Sequence, residues 1–288
     1  MNMVTVGMPV YNGGDFFEKA LLSVLNQSHR DIVVVISDNC SSDVTSSICE
    51  RYKALDERIV YFKQSSNIGA ERNFDFVLQQ AKTKYFMFAA SDDLISEDYI
   101  RDNLEFLEHH GDYVASTCPV RFSTGESDSA IVGDQTVSAE DTYERALSML
   151  NYRCSNGRFY SLYRRAAIAG WTFEGRSFIG ADLLFVFFVL LQGKMNRLSR
   201  GYIELGREGL STKPEFYSRY GNSLRSYIAP FREYTGEVMA LLEHASVFIR
   251  LRALKFFVVL NFRTALIRIL HTLKIYGFSA YLKKRLFG

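Results

Sequence analysis

The sequence predicts an α/β protein: a mostly parallel central sheet flanked by helices, followed by a helical C-terminal extension. Three observations predict it. Short apolar runs alternate with helix-patterned stretches over the first 108 residues, the signature of β-α-β units. Those runs are continuous rather than alternating, as in strands covered on both faces. Beyond Lys213 only helical patterning remains.

Val4–Val10 is β-branched, carries Pro9 near its end and leads to Gly13-Gly14, so it reads as a buried strand and turn. Residues 16–27 place Phe17, Leu21, Leu22 and Leu25 at helical spacing, with Asp15 as expected N-cap and Glu18 completing a capping box. Ile32–Ser37 is a second strand, Asp43–Leu55 a helix, Ile59–Phe62 a third strand and Gly69–Ala81 a helix. Tyr85–Ala89 is a fourth strand, and Ser96 is the expected cap of a helix through Glu108. Val114–Phe122 reads as one strand, 123–137 as a loop and Ala139–Leu150 as a helix. Arg158–Tyr163 reads as a strand and Arg165–Ala169 as a helical turn. Leu183–Gln192 is a helix apolar enough to be buried on all sides, and Asn196–Leu205 is the last strand. In such sheets ligands sit beyond the carboxyl ends of the strands. The loops at that edge contain Tyr11, Asp38 and Asp92-Asp93.

The chain of 288 residues has an ordinary apolar and charge content and can bury a core. Cys40, Cys49, Cys118 and Cys154 form no CxxC pair and fit reduced, intracellular cysteines better than zinc ligands or a disulfide framework. The start of the sequence has no signal-like pattern, so secretion is not expected. The longest apolar runs, Leu183–Leu191 and Phe256–Leu260, fall short of the roughly 18–20 residues a spanning helix needs. The expectation is a cytoplasmic protein, with peripheral contact at the inner face of the cytoplasmic membrane as an option. Net charge is +2, yet nine Lys or Arg and no acid follow Glu243. Subtracting those nine leaves residues 1–243 at −7, an acidic body with a basic tail.

Asp92-Asp93 after a buried strand supplies hard oxygens suited to Mg2+ or Mn2+, or else starts the turn before the Ser96 cap. Asp38, ending a strand, can accept the imide N–H of uracil or thymine, or else make an Asx-turn with Ser41 or Ser42. Tyr11 can lie against a base or bridge sheet and loop. Arg72, at a helix start, can reach a diphosphate or simply be solvated.

Taken in order, Val6–Asn12, Ser23–Ser28, Ser37–Asp43, Asn67-Ile68-Gly69 with Arg72-Asn73, and Ser91-Asp92-Asp93 resemble the donor-binding half of family-2 glycosyltransferases with the Rossmann-like GT-A fold. The resemblance covers residues 4–110 well and extends loosely to about 212. It implies a catalytic domain over 1–212, with a nucleotide-binding half to 110 and an acceptor-binding half over 111–212; residues 213–288 then form a basic helical region. It implies that Pro9 and Tyr11 border the base, Asp38 reads its imide and Arg72 lies near the nucleotide. Asp92 would contact the ribose region, and Asp93 would ligate the metal. It also implies that Asp182, in Gly180-Ala181-Asp182, is the base of an inverting transfer; its other reading is a cap on the buried helix.

Two departures stand out. Position 181 is Ala where many relatives are acidic, and Gly206–Ser211 holds no His to complete a metal site, which leaves either Glu208 as a substitute or Asp93 with the diphosphate and water alone. The implied activity is transfer of a sugar from a UDP- or dTDP-sugar to a hydroxyl acceptor, a glycan or lipid-linked glycan of bacterial O-antigen or capsule type. The basic, aromatic-rich tail fits an interfacial membrane helix or a cap on the core. It suits nucleic acid poorly, since the acidic body would repel phosphate. A sugar nucleotidyltransferase would want basic residues in the first glycine loop, and Asn12-Gly13-Gly14-Asp15 has none. A scaffold that has kept only the fold would have no need of Asp38, Asp93 and Asp182 together.

Overall fold

The computed structural model describes residues 3–122, 135–151, 156–206, 220 and 223–272. Its strands are β1 (Val4–Val10), β2 (Ile32–Asp38), β3 (Ile59–Lys63), β4 (Tyr85–Phe88), β5 (Leu94–Ile95), β6 (Tyr113–Thr117), β7 (Val120–Phe122), β8 (Leu162–Arg164), β9 (Lys194–Arg197) and β10 (Ile203–Leu205). Its α-helices are α1 (Gly14–Leu25), α2 (Thr45–Leu55), α3 (Ala70–Gln79), α4 (Tyr99–His109), α5 (Thr142–Asn151), α6 (Ala181–Gln192), α7 (Leu224–Ile228), α8 (Arg232–Leu241) and α9 (Val247–Thr272).

The main sheet runs β3-β2-β1-β4-β8-β6-β9. Every pairing is parallel except those of β8, which runs against both neighbours. All seven residues of β1 are buried, as its continuous apolar sequence requires of a central strand. Because side chains alternate across a strand, Val4, Val6, Met8 and Val10 join one core with α1, α2 and α4. Val35, Phe86 and Phe88 join the other core, with α3, α5 and α6. Gly7 on that second face lets α3 approach: a Cβ there would stand 2.9 Å from Val77 Cγ2.

Several elements differ from the sequence reading. The predicted strand Val114–Phe122 is two strands in two sheets, β6 in the main sheet and β7 in a small sheet ordered β5-β10-β7. Pro119 lies between them, and Pro lacks the N–H to continue a ladder. The predicted strand 196–205 is likewise β9 and β10, separated by a turn at Gly201, whose φ is +72°. Residues 157–160 of the predicted strand 158–163 form a 3-10 turn, and only Leu162–Arg164 pairs. Neither expected side-chain cap forms. α1 begins at Gly14, the N–H of Gly13 bonds Thr45 Oγ1 (2.9 Å) and that of Gly14 bonds Asp43 Oδ2 (3.0 Å). Glu18 instead pairs with Arg51 and accepts from Tyr52 at 2.7 Å. Ser96 Oγ accepts from Tyr202 N–H at 3.1 Å, tying β5 to β10.

The helices past residue 213 do not stand apart from the sheet. Tyr234, Val238 and Leu242 from the α8 region and Ile249, Ala253 and Phe257 of α9 belong to the same core as α5 and α6. Among the described residues no helix is long and apolar enough to cross a membrane.

Candidate functional site

The order β2-β1-β4 places the loops that follow these three strands side by side at one sheet edge. Val10 pairs with Asp38 across β1 and β2, so Tyr11 leaves the sheet next to Asp38. Tyr11 is 50% exposed, an aromatic ring offered to solvent at that edge. Pro9 is buried within β1, beneath the edge, opposite Ser37.

Asp38 is completely buried. Its Oδ1 accepts from the Ser41 N–H (2.8 Å), the Asx-turn weighed from the sequence, and its Oδ2 accepts from Ser46 Oγ (2.6 Å) and the Tyr61 hydroxyl (3.1 Å). Burial pushes its pKa up, but these bonds together outweigh burial and hold it below the usual carboxylate range. Asp38 is thus an ionised group satisfied from within. The bond to Tyr61 is the longest of the three.

Asn39 joins this loop to the start of α3. Its Oδ1 accepts from Ile68 N–H (2.8 Å), and its Nδ2 donates to Asn67 Oδ1 (3.0 Å) and Gly69 O (3.2 Å). Asn73 adds a second tie, accepting from Ser37 Oγ at 2.6 Å and donating to Ser37 O at 2.9 Å. Gly69 sits at φ +89°, a region that favours glycine, and turns the chain into α3. Arg72 is exposed on the first turn of α3, on the same rim. Gln27 plays the matching role for the acidic pair. Its side chain donates to Ser23 O and Ser96 O and accepts from Ile100 N–H at 2.9 Å, fixing α1 to the start of α4.

Asp92 and Asp93 follow β4, and the chain after β10 closes on them. The N–H of Gly206 donates to Asp93 Oδ1 at 2.8 Å. A Cβ at Gly206 would lie 2.4 Å from both the carbonyl and the carboxylate of Asp92, so only glycine fits. Asp93 is 7% exposed, and its Oδ2 is buried with no hydrogen-bond partner. Burial, reinforced by the charge of Asp92, pushes its pKa up to about 7, and Gly206 and Tyr160 offset part of that rise. An orphaned buried carboxylate oxygen beside a second carboxylate fits a divalent cation. No cluster of three or more His, Cys, Asp or Glu surrounds the pair among the described residues, so a cation here would draw its other ligands from diphosphate and water. Glu208, the suggested substitute ligand, lies outside the described residues.

Asp182 sits on the first turn of α6, behind Gly180 at φ +94°. It is reachable from solvent, yet protein crowds its carboxyl and raises its pKa; the Leu183 N–H and Asn156 work the other way. Asn156 Nδ2 donates to Asp182 Oδ2 from a backbone held at φ +57°. Tyr160 is where the parts meet. Burial, the charges of Asp93, Asp92 and Asp182 and its hydrogen bond to Asp93 push its hydroxyl well above the usual range. Its neighbour Phe159 stacks on Phe88 at the end of β4 (centroids 4.9 Å, planes 2° apart). The aromatic core therefore sets the 3-10 turn against the strand that leads to Asp92.

The sequence pattern places Tyr160 in a strand, gives Asn156 no role and marks Gly206 only as the start of a segment without His. The dipeptide Asn156-Gly157 was the one available signal, a left-handed turn marker. The glycine turn after β1 is no phosphate cradle, since the N–H groups of Gly13 and Gly14 are already bonded to Thr45 and Asp43.

The chain belongs to the family described as Glycosyl transferase family 2, whose model matches residues 5–170. Its relatives include a putative teichuronic acid biosynthesis glycosyltransferase, TuaG of Bacillus subtilis, 38% identical over 107 residues; the match spans 36% of this chain and 42% of TuaG. Another is the GalNAc(5)-diNAcBac-PP-undecaprenol beta-1,3-glucosyltransferase of Campylobacter jejuni, 25% identical, with 60% of this chain and 55% of that one covered. The chain thus spans about half the length of these curated relatives. Among solved structures, S. aureus TarS 1-349 in complex with UDP-GlcNAc superimposes with a TM-score of 0.64 at 18% identity, over 93% of this chain and 73% of that one. The mannosyltransferase PcManGT from Pyrobaculum calidifontis, in complex with GDP-Man and Mn2+, gives 0.58 at 13%, over 97% and 80%. Both share the mostly parallel sheet flanked by helices of GT-A glycosyltransferases.

Proposed function

We propose that this chain is an inverting glycosyltransferase. It moves a sugar from a UDP- or dTDP-sugar to a hydroxyl of a lipid-linked glycan during assembly of a bacterial surface polysaccharide such as O-antigen or capsule. The observation that carries the reading is the acidic pair Asp92-Asp93, with a buried, unpartnered oxygen on Asp93, on the sheet edge that also presents Tyr11. TarS, of the same fold, was solved with UDP-GlcNAc, and the Campylobacter relative is named for an undecaprenol-linked acceptor. A membrane-held acceptor would place the work at the inner face of the cytoplasmic membrane.

In this reading Tyr11 lies along the pyrimidine, with Pro9 stiffening the strand beneath it. Asp38 accepts the imide N–H, and Arg72 and Asp92 line the path of the diphosphate and ribose. Asp93, with Asp92, would hold Mg2+ or Mn2+, which supplies positive charge against the leaving diphosphate. Asp182 accepts the acceptor hydroxyl's proton as the oxygen bonds to the anomeric carbon and the bond to diphosphate breaks on the opposite face. A raised pKa brings Asp182 nearer the pH at which a general base is most effective. Asn156 fixes which oxygen faces the acceptor.

Hydrolysis and transfer assays over a panel of uridine and thymidine diphosphate sugars, with and without Mn2+, test this. Asp182→Ala is expected to keep donor binding and to lower transfer at least about 100-fold, the usual scale of a lost general base. Unchanged transfer would remove Asp182 from the role.

A further inference from the structure

We propose that the outward face of α9 lies on an anionic lipid surface, holding the sheet edge close to a membrane. α9 has 26 residues, a length of about 39 Å. One side of it is core: Ile249, Ala253 and Phe257 are buried, and the ring of Phe257 meets that of Tyr234 at 5.1 Å. The opposite side repeats at three- and four-residue steps through Phe248, Leu251, Lys255, Val258 and Phe262, and Ile269 falls on the same side two turns further on. Its apolar members are exposed, Phe248 at 67% and Phe262 at 68%, so large side chains face solvent from Phe248 to Phe262. A contiguous apolar stripe of this length marks an interaction surface rather than scattered surface residues.

The charges select the occupant. α9 carries Arg250, Arg252, Lys255, Arg263 and Arg268 and no acidic residue. Arg252 pairs with Glu144, and Arg268 donates to Ser226 O at 2.9 Å. Arg250 and Lys255 are exposed, Lys255 within the apolar row and Arg250 beside it. Apolar side chains flanked by cations are what an interfacial helix presents to anionic headgroups. A second copy on the same face would bring two basic helices together, and no described helix can span the bilayer instead. The proposal rests on the lipid-linked acceptor only for its purpose; the helix face is independent of the donor chemistry.

Truncation near Glu243 is a poor test, because it strips Ile249 and Phe257 from the core. Flotation of the full chain with vesicles of phosphatidylglycerol in phosphatidylcholine, against phosphatidylcholine alone, reads the contact directly. The full chain is expected to float with the anionic vesicles and to be released by salt. Phe248→Glu with Phe262→Glu should abolish flotation. Arg250→Ala with Lys255→Ala, which leaves the apolar row otherwise whole, should lower the partition coefficient by about fivefold for each lost charge. The second pair carries the test if the first melts below the parent. Donor hydrolysis in lipid-free buffer should be unchanged in both, so a failed site reading and a failed surface reading give different results. The proposal is overturned by flotation that is absent, equal on neutral vesicles or unaffected in the variants. A lipid-free dimer in light scattering that Phe248→Glu and Phe262→Glu dissociate would overturn it in favour of a second copy.

Discussion

Asp93 and Asp38 are both buried carboxylates, yet their surroundings push them in opposite directions. Three donors hold Asp38 ionised, whereas Asp93 has the Gly206 N–H and the Tyr160 hydroxyl, a neighbouring anion and a buried oxygen left unpartnered. For Asp93 the folded pKa of about 7 lies above the ordinary 3.8, so the folded chain binds the extra proton and loses stability as pH rises between those values. Asp93→Asn should therefore stabilise the metal-free protein by roughly 2–4 kcal/mol at pH 8 and far less at pH 4. The same variant should lose Mn2+-dependent donor binding. Thermal melting across pH and Mn2+ titration check the two halves. Asn156 acts on Asp182 in the same currency: its hydrogen bond lowers a pKa that burial has raised. Removing it in Asn156→Ala should move the acid limb of the kcat/KM profile to higher pH. Asn156→Gly, which relieves the left-handed backbone, should show the same shift; a shift confined to one of them would point to backbone rearrangement instead. Aspartates at strand and helix ends were legible in the sequence because residue type and position alone suggest chemistry. Asn156 and Tyr160 were not, because their importance comes from neighbours more than twenty residues away.

At the scale of elements, the motifs that looked like ligand contacts are in large part braces. Asn39 and Asn73 pin α3, Gln27 pins α4, and only after those ties do Arg72 and the acidic pair have fixed places. Gly206 is the tightest of these joints. Gly206→Ala would drive a methyl against the Asp92 carboxylate, and is expected to abolish metal and donor binding while the melting temperature falls only modestly. Calorimetric donor titration beside a melting curve distinguishes that outcome from global unfolding. Continuous apolar runs gave β1, β2 and β4 nearly to the residue, since these central strands are covered on both faces, and the β-branched and aromatic run Ile59–Phe62 gave the edge strand β3. Strand patterning failed over 113–122 and 194–205, where strands of three to five residues enter two different sheets. Segments so short carry too little pattern to report which sheet they join.

For the molecule as a whole, the C-terminal helices share the core that packs on the sheet. Tyr234 packs against Gly180 at the start of α6, where an added Cβ would stand 3.0 Å from its ring, so α8 buttresses the turn that carries Asp182. Phe257→Ala, emptying a site that is 1% exposed, should cost about 3–5 kcal/mol in urea unfolding and weaken transfer through α8. A loss confined to the extension, with the sheet unfolding unchanged, would argue for two separate units. The sequence by itself determined the alternation of strand and helix, the acidic rim at one sheet edge, the family and the basic amphipathic tail. These are written in local periodicity and in residue types whose chemistry does not depend on distant partners. Only the tertiary structure decided which carboxylate is left with an unpartnered oxygen, which is satisfied internally and which side of the last helix is left facing water. Those outcomes depend on burial and on contacts between segments remote in the chain, and free energies of that kind have no period for a sequence to display.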